Sequence, residues 1–181
     1  MQAIACLLLA GVLIGLRGER RWAVPLALLL AAWSATTLPD LDMALGLGHR
    51  SGLTHSVLPA AAFVSRPRWR PVAAGLALGL GLHLSADLFP HAMRGFATIK
   101  LSPHAALGPD ASYLWIAANA ALALAGGAAL TFGVARPPVA AALLVAAALM
   151  GVAYLYHTDG GWWALALFAG LAWVASRVRR Q

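Results

Sequence analysis

Seven apolar stretches separated by short polar breaks run through this chain, at residues 2–16, 22–38, 54–65, 71–89, 111–133, 137–156 and 161–176. That pattern limits the solvents in which the chain can fold. A water-facing domain carries about 25% charged residues; here the share is 10%, against 61% hydrophobic residues and a mean hydropathy of +0.78. There is too little polar side chain to cover a water-facing surface, and lipid is the natural alternative. A helix needs about 20 apolar residues to cross a bilayer, within a range of about 17–25. On that scale the pattern predicts an all-α, polytopic transmembrane helix bundle of six to seven short spans. Residues 1–181 would form a single integral membrane domain. The segment 54–65 is the shortest and contains Pro59, so it is expected either to span at a tilt or to re-enter.

The charges sort along this frame. No basic residue precedes the first apolar stretch, and Arg17, Arg20 and Arg21 follow it. That order argues for a retained span with its N-terminus outside rather than for a cleaved export signal. Arg66, Arg68, Arg70, Arg136, Arg177, Arg179 and Arg180 then fall on the cytoplasmic side with the first cluster, while only Arg50, Arg94 and Lys100 fall outside. This is the positive-inside bias of a multi-pass protein. The expected location is a prokaryotic cell (inner) membrane with the C-terminus cytoplasmic. The same assignment puts His49, His55, His83, His91, His104 and His157 outside, with Asp40, Asp42, Asp87, Asp110 and Asp159. Such one-sided sorting points to a site at the outer face.

Two function classes drop out. A net charge of +7 invites a nucleic-acid reading, but the basic residues are dispersed in loops between apolar runs rather than gathered on one face. Cys6 is the only cysteine, which excludes a disulfide framework and a thiolate metal cluster. Trp22, Trp69, Trp115, Trp162 and Trp163 lie near span ends, where indoles favour the interface, and are expected to be anchors.

Three short motifs carry the chemistry. In Leu38-Pro-Asp-Leu-Asp42 a span ends at a proline that disfavours helix at Leu38, so an extended segment would let Asp40 and Asp42 converge on one ion. In His49-Arg-Ser-Gly-Leu-Thr-His55-Ser56, Thr54 is expected to cap a short helix and hold His55 and Ser56 in its first turn. In His83-Leu-Ser-Ala-Asp87 the i, i+4 spacing puts both side chains on one helix face, able to share a cation. Gly75 and Gly79 continue that series and let a neighbouring helix approach closely. Ionisable groups at membrane depth cost at least about 2.5–3.5 kcal/mol each unless paired or solvated. A divalent cation offsets several of these costs together, and mixed N/O ligation fits zinc first, then manganese or iron. The candidate ligands are Asp40, Asp42, His55, His83 and Asp87, enough for one or two ions.

The combination of PDLD (39–42), HRSGLTHS (49–56) and HLSAD (83–87) resembles the YdjM-like family of membrane-bound metal-dependent hydrolases, over residues 33–91. That family is distantly similar to zinc-dependent phospholipase C and P1-type nucleases. The resemblance implies that Asp40 or Asp42, His55, His83 and Asp87 hold metal. The later HxxxE pair and the ligating N-terminal Trp of the soluble enzymes are missing here, which leaves one or two ions rather than three. The resemblance implies a metal-dependent hydrolase; the depth of the site makes a lipid phosphodiester or ester at the outer membrane face the expected substrate, with Asp42 as second ligand or general base and His49 and Arg50 binding substrate.

Other residues stand in reserve. His91 follows Pro90, and the loop 90–110 carries Met93, Phe96, Ile99 and Leu101, as a lid lying on the membrane would. His104, Asp110, His157 and Asp159 are explained by loops and turns alone. Two rival readings share the site: a metal or proton transporter, and a non-catalytic membrane assembly protein with a structural metal. The transporter needs polar groups through both membrane halves, and the cytoplasmic halves are almost purely Ala, Leu, Val and Gly.

Overall fold

A computed structural model describes residues 2–16, 22–88, 93–102 and 104–157. Six α-helices make up most of it: α1 (Gln2–Gly15), α2 (Ala23–Ala35), α3 (Leu58–Val64), α4 (Arg70–Ala86), α5 (Pro109–Val134) and α6 (Pro137–Tyr156). A proline stands at the first or second position of α3, α4, α5 and α6, where its missing N–H costs nothing and its fixed φ suits the helix. One small departure from an all-helical chain is an antiparallel ribbon of β1 (Lys100–Ser102) and β2 (Ala105–Ala106).

Helix α4 is the axis of the fold. Every residue from Pro71 to Ser85 is buried, and α2, α3, α5 and α6 all pack on it, with α1 outside α2. The seam with α2 depends on glycine: a Cβ on Gly75 would overlap the Leu28 carbonyl, and one on Gly79 the Ala32 carbonyl. Backbone therefore rests on backbone, as the small-residue spacing predicts. Ala27, Ala31, Ala35, Leu76 and Leu80 fill the core beside the seam.

Helix lengths correct the expected span count. Among the described residues, only α5 and α6 are long and apolar enough to cross a membrane by length and composition. Helices α1, α2 and α4 have 14, 13 and 17 residues, at or below the short limit of a span. The 54–65 segment is neither a span nor a tilted one. Its helix begins at Leu58 and has 7 residues, about 10 Å of rise. A bundle of six to seven spans is thus not what these helices supply. The seventh expected segment, 161–176, and the basic clusters at Arg17, Arg20, Arg21, Arg177, Arg179 and Arg180 lie outside the described residues.

Two ends of the bundle can be told apart. The C-terminal ends of α2, α4 and α6 and the first turns of α5 meet the loops 36–57 and 93–107 at one end. The turn Arg66–Arg70 and Arg136 lie at the other. The described histidines and aspartates all belong to the first end.

Candidate metal centre

Four pieces of chain build the centre. The first is the end of α2, where Leu38 keeps helical dihedrals (φ −63, ψ −38) and leads into a 3-10 turn at Pro39–Asp42. The expected extended segment is not there. A 3-10 turn has about three residues per turn, so residues two apart diverge. Asp40 points to the rim, its side chain 54% exposed, and Asp42 points inward with no exposure.

The second piece is the loop 43–57. Gly46, Gly48 and Arg50 take positive φ, the last at 57°. For a non-glycine residue that conformation costs about 1–3 kcal/mol and persists only where surrounding contacts enforce it. The Arg50 carbonyl accepts Lys100 N–H at 2.9 Å and Gly52 N–H donates to Lys100 O at 2.8 Å, so the ribbon clamps the loop. Its guanidinium donates from Nη2 to Asp87 Oδ1 at 2.8 Å and from Nη1 to Ala97 O at 2.9 Å. Arg50, expected to bind a substrate anion, is thus placed against Asp87, and its buried Nε has no hydrogen-bond partner among the described residues.

Thr54 does not cap a helix, and His55 and Ser56 lie in the loop before α3. The Thr54 hydroxyl donates to Ser51 O at 3.2 Å and lies 3.1 Å from His55 Nδ1. Ser56 is the residue at the helix start, accepting Leu58 N–H at 3.3 Å. From α5, Trp115 Nε1 donates to His55 O at 2.9 Å and Asn119 Oδ1 accepts Val57 N–H at 3.0 Å. Trp115, expected as an anchor, thus holds the His55 backbone.

The third and fourth pieces are the ends of α4 and α6. His83 and Asp87 face the same point, as their spacing predicts, with His83 Nε2 to Asp87 Oδ2 at 3.5 Å. His83 Nδ1 lies 2.9 Å from Thr36 O and 2.9 Å from the Tyr154 hydroxyl. A carbonyl only accepts, so Nδ1 carries the proton and Nε2 a lone pair.

The same inventory fixes His55. Its Nδ1 faces Thr54 Oγ1, whose own proton goes to Ser51 O, and Asp42 Oδ2 at 3.5 Å. Both are acceptors there, so His55 too is protonated at Nδ1. Asp42 is in turn held by Ser51 N–H, 3.0 Å from Oδ2. Asp42, expected as a ligand or general base, therefore stands behind His55 and orients it.

Three lone-pair atoms now converge with no proton between them. His55 Nε2 and His83 Nε2 are 3.4 Å apart, and Asp87 Oδ2 is 3.4 Å from the first and 3.5 Å from the second. Asp87 Oδ2 is buried and has no hydrogen-bond partner among the described residues. Ligand atoms about 2.0–2.1 Å from a tetrahedral ion lie about 3.3–3.4 Å from one another, so the triangle has the size of a zinc coordination face. Asp40 completes the group: its Oδ1 is 3.8 Å from His83 Nε2, and Asp40, His55 and His83 each offer a ligand atom within 4.8 Å of the others. These residues could hold a metal ion.

Burial, with His83 and Arg50 nearby, pushes His55 down to about 2. His49 is lowered by desolvation and by Arg50; it stacks on Phe96 at 4.2 Å and meets the His55 ring edge-on at 6.5 Å. Desolvation raises the Asp40 carboxyl, opposed by His83 and reinforced by Asp87 and Asp42.

Not every reserved residue joins the centre. His104 and Asp110 are exposed, and His157 is exposed at the end of α6, its ring against Tyr156. His91 and Asp159 lie outside the described residues. Thr36, Asn119 and Tyr154 were not anticipated. A lone asparagine and a tyrosine inside apolar runs were the available signals for two of them; Thr36 acts through its carbonyl and leaves none. No family model, curated protein or solved structure matches the chain.

Proposed function

We propose that the chain is a membrane-embedded, metal-dependent hydrolase, as its resemblance to the YdjM-like family implies, and that it acts on a lipid phosphodiester or ester, whose bond would lie at the headgroup depth of the site. The observation that carries the metal half is the lone-pair triangle of His55, His83 and Asp87, which is repulsive without a cation. Each ligand is backed by a partner that fixes its orientation, Asp42 behind His55, Thr36 O behind His83 and Arg50 behind Asp87, the usual support of a metal site. Zinc fits this donor set and spacing best. Such an ion supplies Lewis acidity, acidifying water and polarising a phosphoryl or carbonyl oxygen.

The protein's own residues set access and proton traffic. Asp40 and His49 occupy the open rim, and His49, kept neutral by desolvation and Arg50, is the group placed to accept a proton there. The Asp42 carboxylate has no exposure; its Oδ2 backs His55, and its buried Oδ1 has no hydrogen-bond partner among the described residues. The core on the far side of the centre is built from Ala, Leu, Val and Ile, which favours a hydrolase reached from one face over a transporter.

The membrane half rests on surface chemistry. In the most apolar windows of α5 and α6 only 28% of residues are buried, unlike the core helices of a water-soluble protein. Their outer faces present Leu114, Leu122, Phe132, Val145 and Leu149, with no charged residue between Ser112 and Ala135. A structural metal is the second reading, favoured by the burial of His55 (0%) and His83 (3%). Elemental analysis of wild type beside His83→Ala, followed by lipid mass spectrometry, separates the two. Stoichiometric zinc lost in the variant with a lipid cleaved only by wild type supports the hydrolase; bound zinc with no lipid consumed leaves the structural reading, and no bound metal sinks both.

A further inference from the structure

The loops that carry the centre are amphipathic in reverse. Between residues 42 and 58 the polar side chains are the buried ones: Asp42 0%, Arg50 7%, Ser51 5%, Thr54 7%, His55 0% and Ser56 2% exposed. The large apolar ones face outward: Met43 55%, Leu45 66%, Leu53 56% and Leu58 52%. In the facing segment Phe96 at 63% and Leu101 at 57% are also exposed, beside exposed Arg94, Ser102 and His104, while Met93 and Ile99 are buried. A loop in water arranges itself the other way round, because exposed apolar area costs about 25 cal/mol per Å².

Helix α5 gives the depth of these loops. Ser112 Oγ accepts Ile99 N–H at 3.1 Å, Trp115 Nε1 reaches His55 O at 2.9 Å and Asn119 Oδ1 accepts Val57 N–H at 3.0 Å. The loops therefore lie level with residues 112–119 of a helix that runs from Pro109 to Val134. A hydrocarbon core about 30 Å thick takes about 20 residues of helix, and centred on α5 it begins near residue 112. The loops sit at its outer boundary, and their apolar side chains continue the exposed face that starts at Leu114, itself 71% exposed.

The geometry points to a lipid-inserted collar. Leu45, Leu53 and Leu101, with Met43 and Phe96, enter the acyl-chain region just under the headgroups of one leaflet. The rim formed by Asp40 and His49 then opens at headgroup level, and an amphiphilic ligand reaches it sideways from the bilayer with its chains against the collar. The occupant is the acyl chain of bilayer lipid. The inference deepens the lipid-substrate reading but rests on its membrane half alone, not on the metal.

The full chain, in a Cys6→Ser background, carries Leu45→Cys, Leu53→Cys or Leu101→Cys, each labelled with a polarity-sensitive fluorophore and reconstituted in phosphatidylcholine–phosphatidylglycerol vesicles. Leu122→Cys on α5 and Val145→Cys on α6 serve as membrane controls. The collar predicts blue-shifted emission at all three loop positions, loss of emission with lipids brominated near the top of the acyl chain, and no loss with aqueous iodide. Iodide quenching at the loop positions with the two controls still quenched by bromolipid overturns the collar and leaves the membrane reading intact. Water exposure of the controls as well overturns both. Loop labels shielded from both quenchers but exchanging energy with one another assign the face to a second copy of the chain, and also overturn it. Because the three positions are exposed, their replacement removes no packing, and any two of them are enough for the decision.

Discussion

Helix α4 begins and ends in opposite chemistry. At its start the charged residues are solitary: Arg66, Arg68 and Arg70 are exposed, and the one bond from their guanidinium groups among the described residues is Arg70 Nε to Val64 O at 3.4 Å. At its end His55, His83 and Asp42 are buried, Asp87 is largely so, and each candidate ligand of the triangle has an orienting partner. Asp42 holds His55, Thr36 holds His83 and Arg50 holds Asp87. An exposed arginine at a helix end costs little, whereas a buried carboxylate or imidazole costs several kcal/mol unless partnered. Charge at the first end is solvated and needs no partner; charge at the second is gathered where a metal ion could be held.

The contrast is most sharply tested by removing a donor of the triangle. His83→Ala is expected to abolish stoichiometric metal binding, because it deletes one Nε2 and leaves Asp87 Oδ2 facing His55 alone. Inductively coupled plasma analysis of the purified protein reads this directly. Metal content equal to that of wild type would erase the difference between the ends. The next effect falls on the fold itself. Gly79→Leu drives a side chain into the Ala32 carbonyl of α2, where overpacking costs about 1–3 kcal/mol or more, and a lower melting temperature with or without metal is the expected result. A substitution there that leaves thermal stability unchanged would mean that α2 and α4 are not in backbone contact.

Removing an orienting partner should cost less. Asp42→Asn and Arg50→Lys keep much of the local shape, and a change behind a ligand lowers metal affinity by about 10–100-fold. Competition against a zinc chelator measures it. If Asp42→Asn matched His83→Ala instead, Asp42 would be a ligand and its placement behind His55 would be wrong. Acid should act through the same residue. The folded state holds His55 at about 2, and an unfolded imidazole titrates near about 6.5, so between those values the unfolded chain binds more protons. Metal-free protein therefore keeps this contribution to stability above pH 6.5 or so and loses it progressively as the pH falls. Melting temperatures across that range, with His55→Gln as the flat control, check the sign.

What the residues alone made legible follows how local each signal was. His83 and Asp87 share a helix face because i, i+4 geometry is fixed within one turn, and α6 begins and ends where its apolar run does. The helix does end before Pro39, but Leu38 keeps helical dihedrals and the chain passes into a 3-10 turn rather than an extended segment, which splits Asp40 from Asp42. The partners of His83 Nδ1 are 47 residues away for Thr36 and 71 for Tyr154. No spacing rule reaches that far. Span count failed for a similar reason: apolarity marked where lipid or core is met, but α4 is apolar because it is enclosed by other helices.

The smallest effect expected is at the arginine end. Replacing Arg66, Arg68 and Arg70 together by Gln removes three exposed charges about 25 Å from Asp87, the rise of the 17-residue α4 at about 1.5 Å per residue. Surface substitutions of this kind usually stay within about 0.5 kcal/mol, and Trp69 keeps its contacts with Phe63 and Gly11, so the turn retains its packing. Zinc content and chelator-measured affinity should be those of wild type. Loss of metal in this triple variant would show that the two ends are coupled through α4. The far arginines would then belong to the mechanism that positions Asp87, and local burial would no longer explain why polar residues gather where they do.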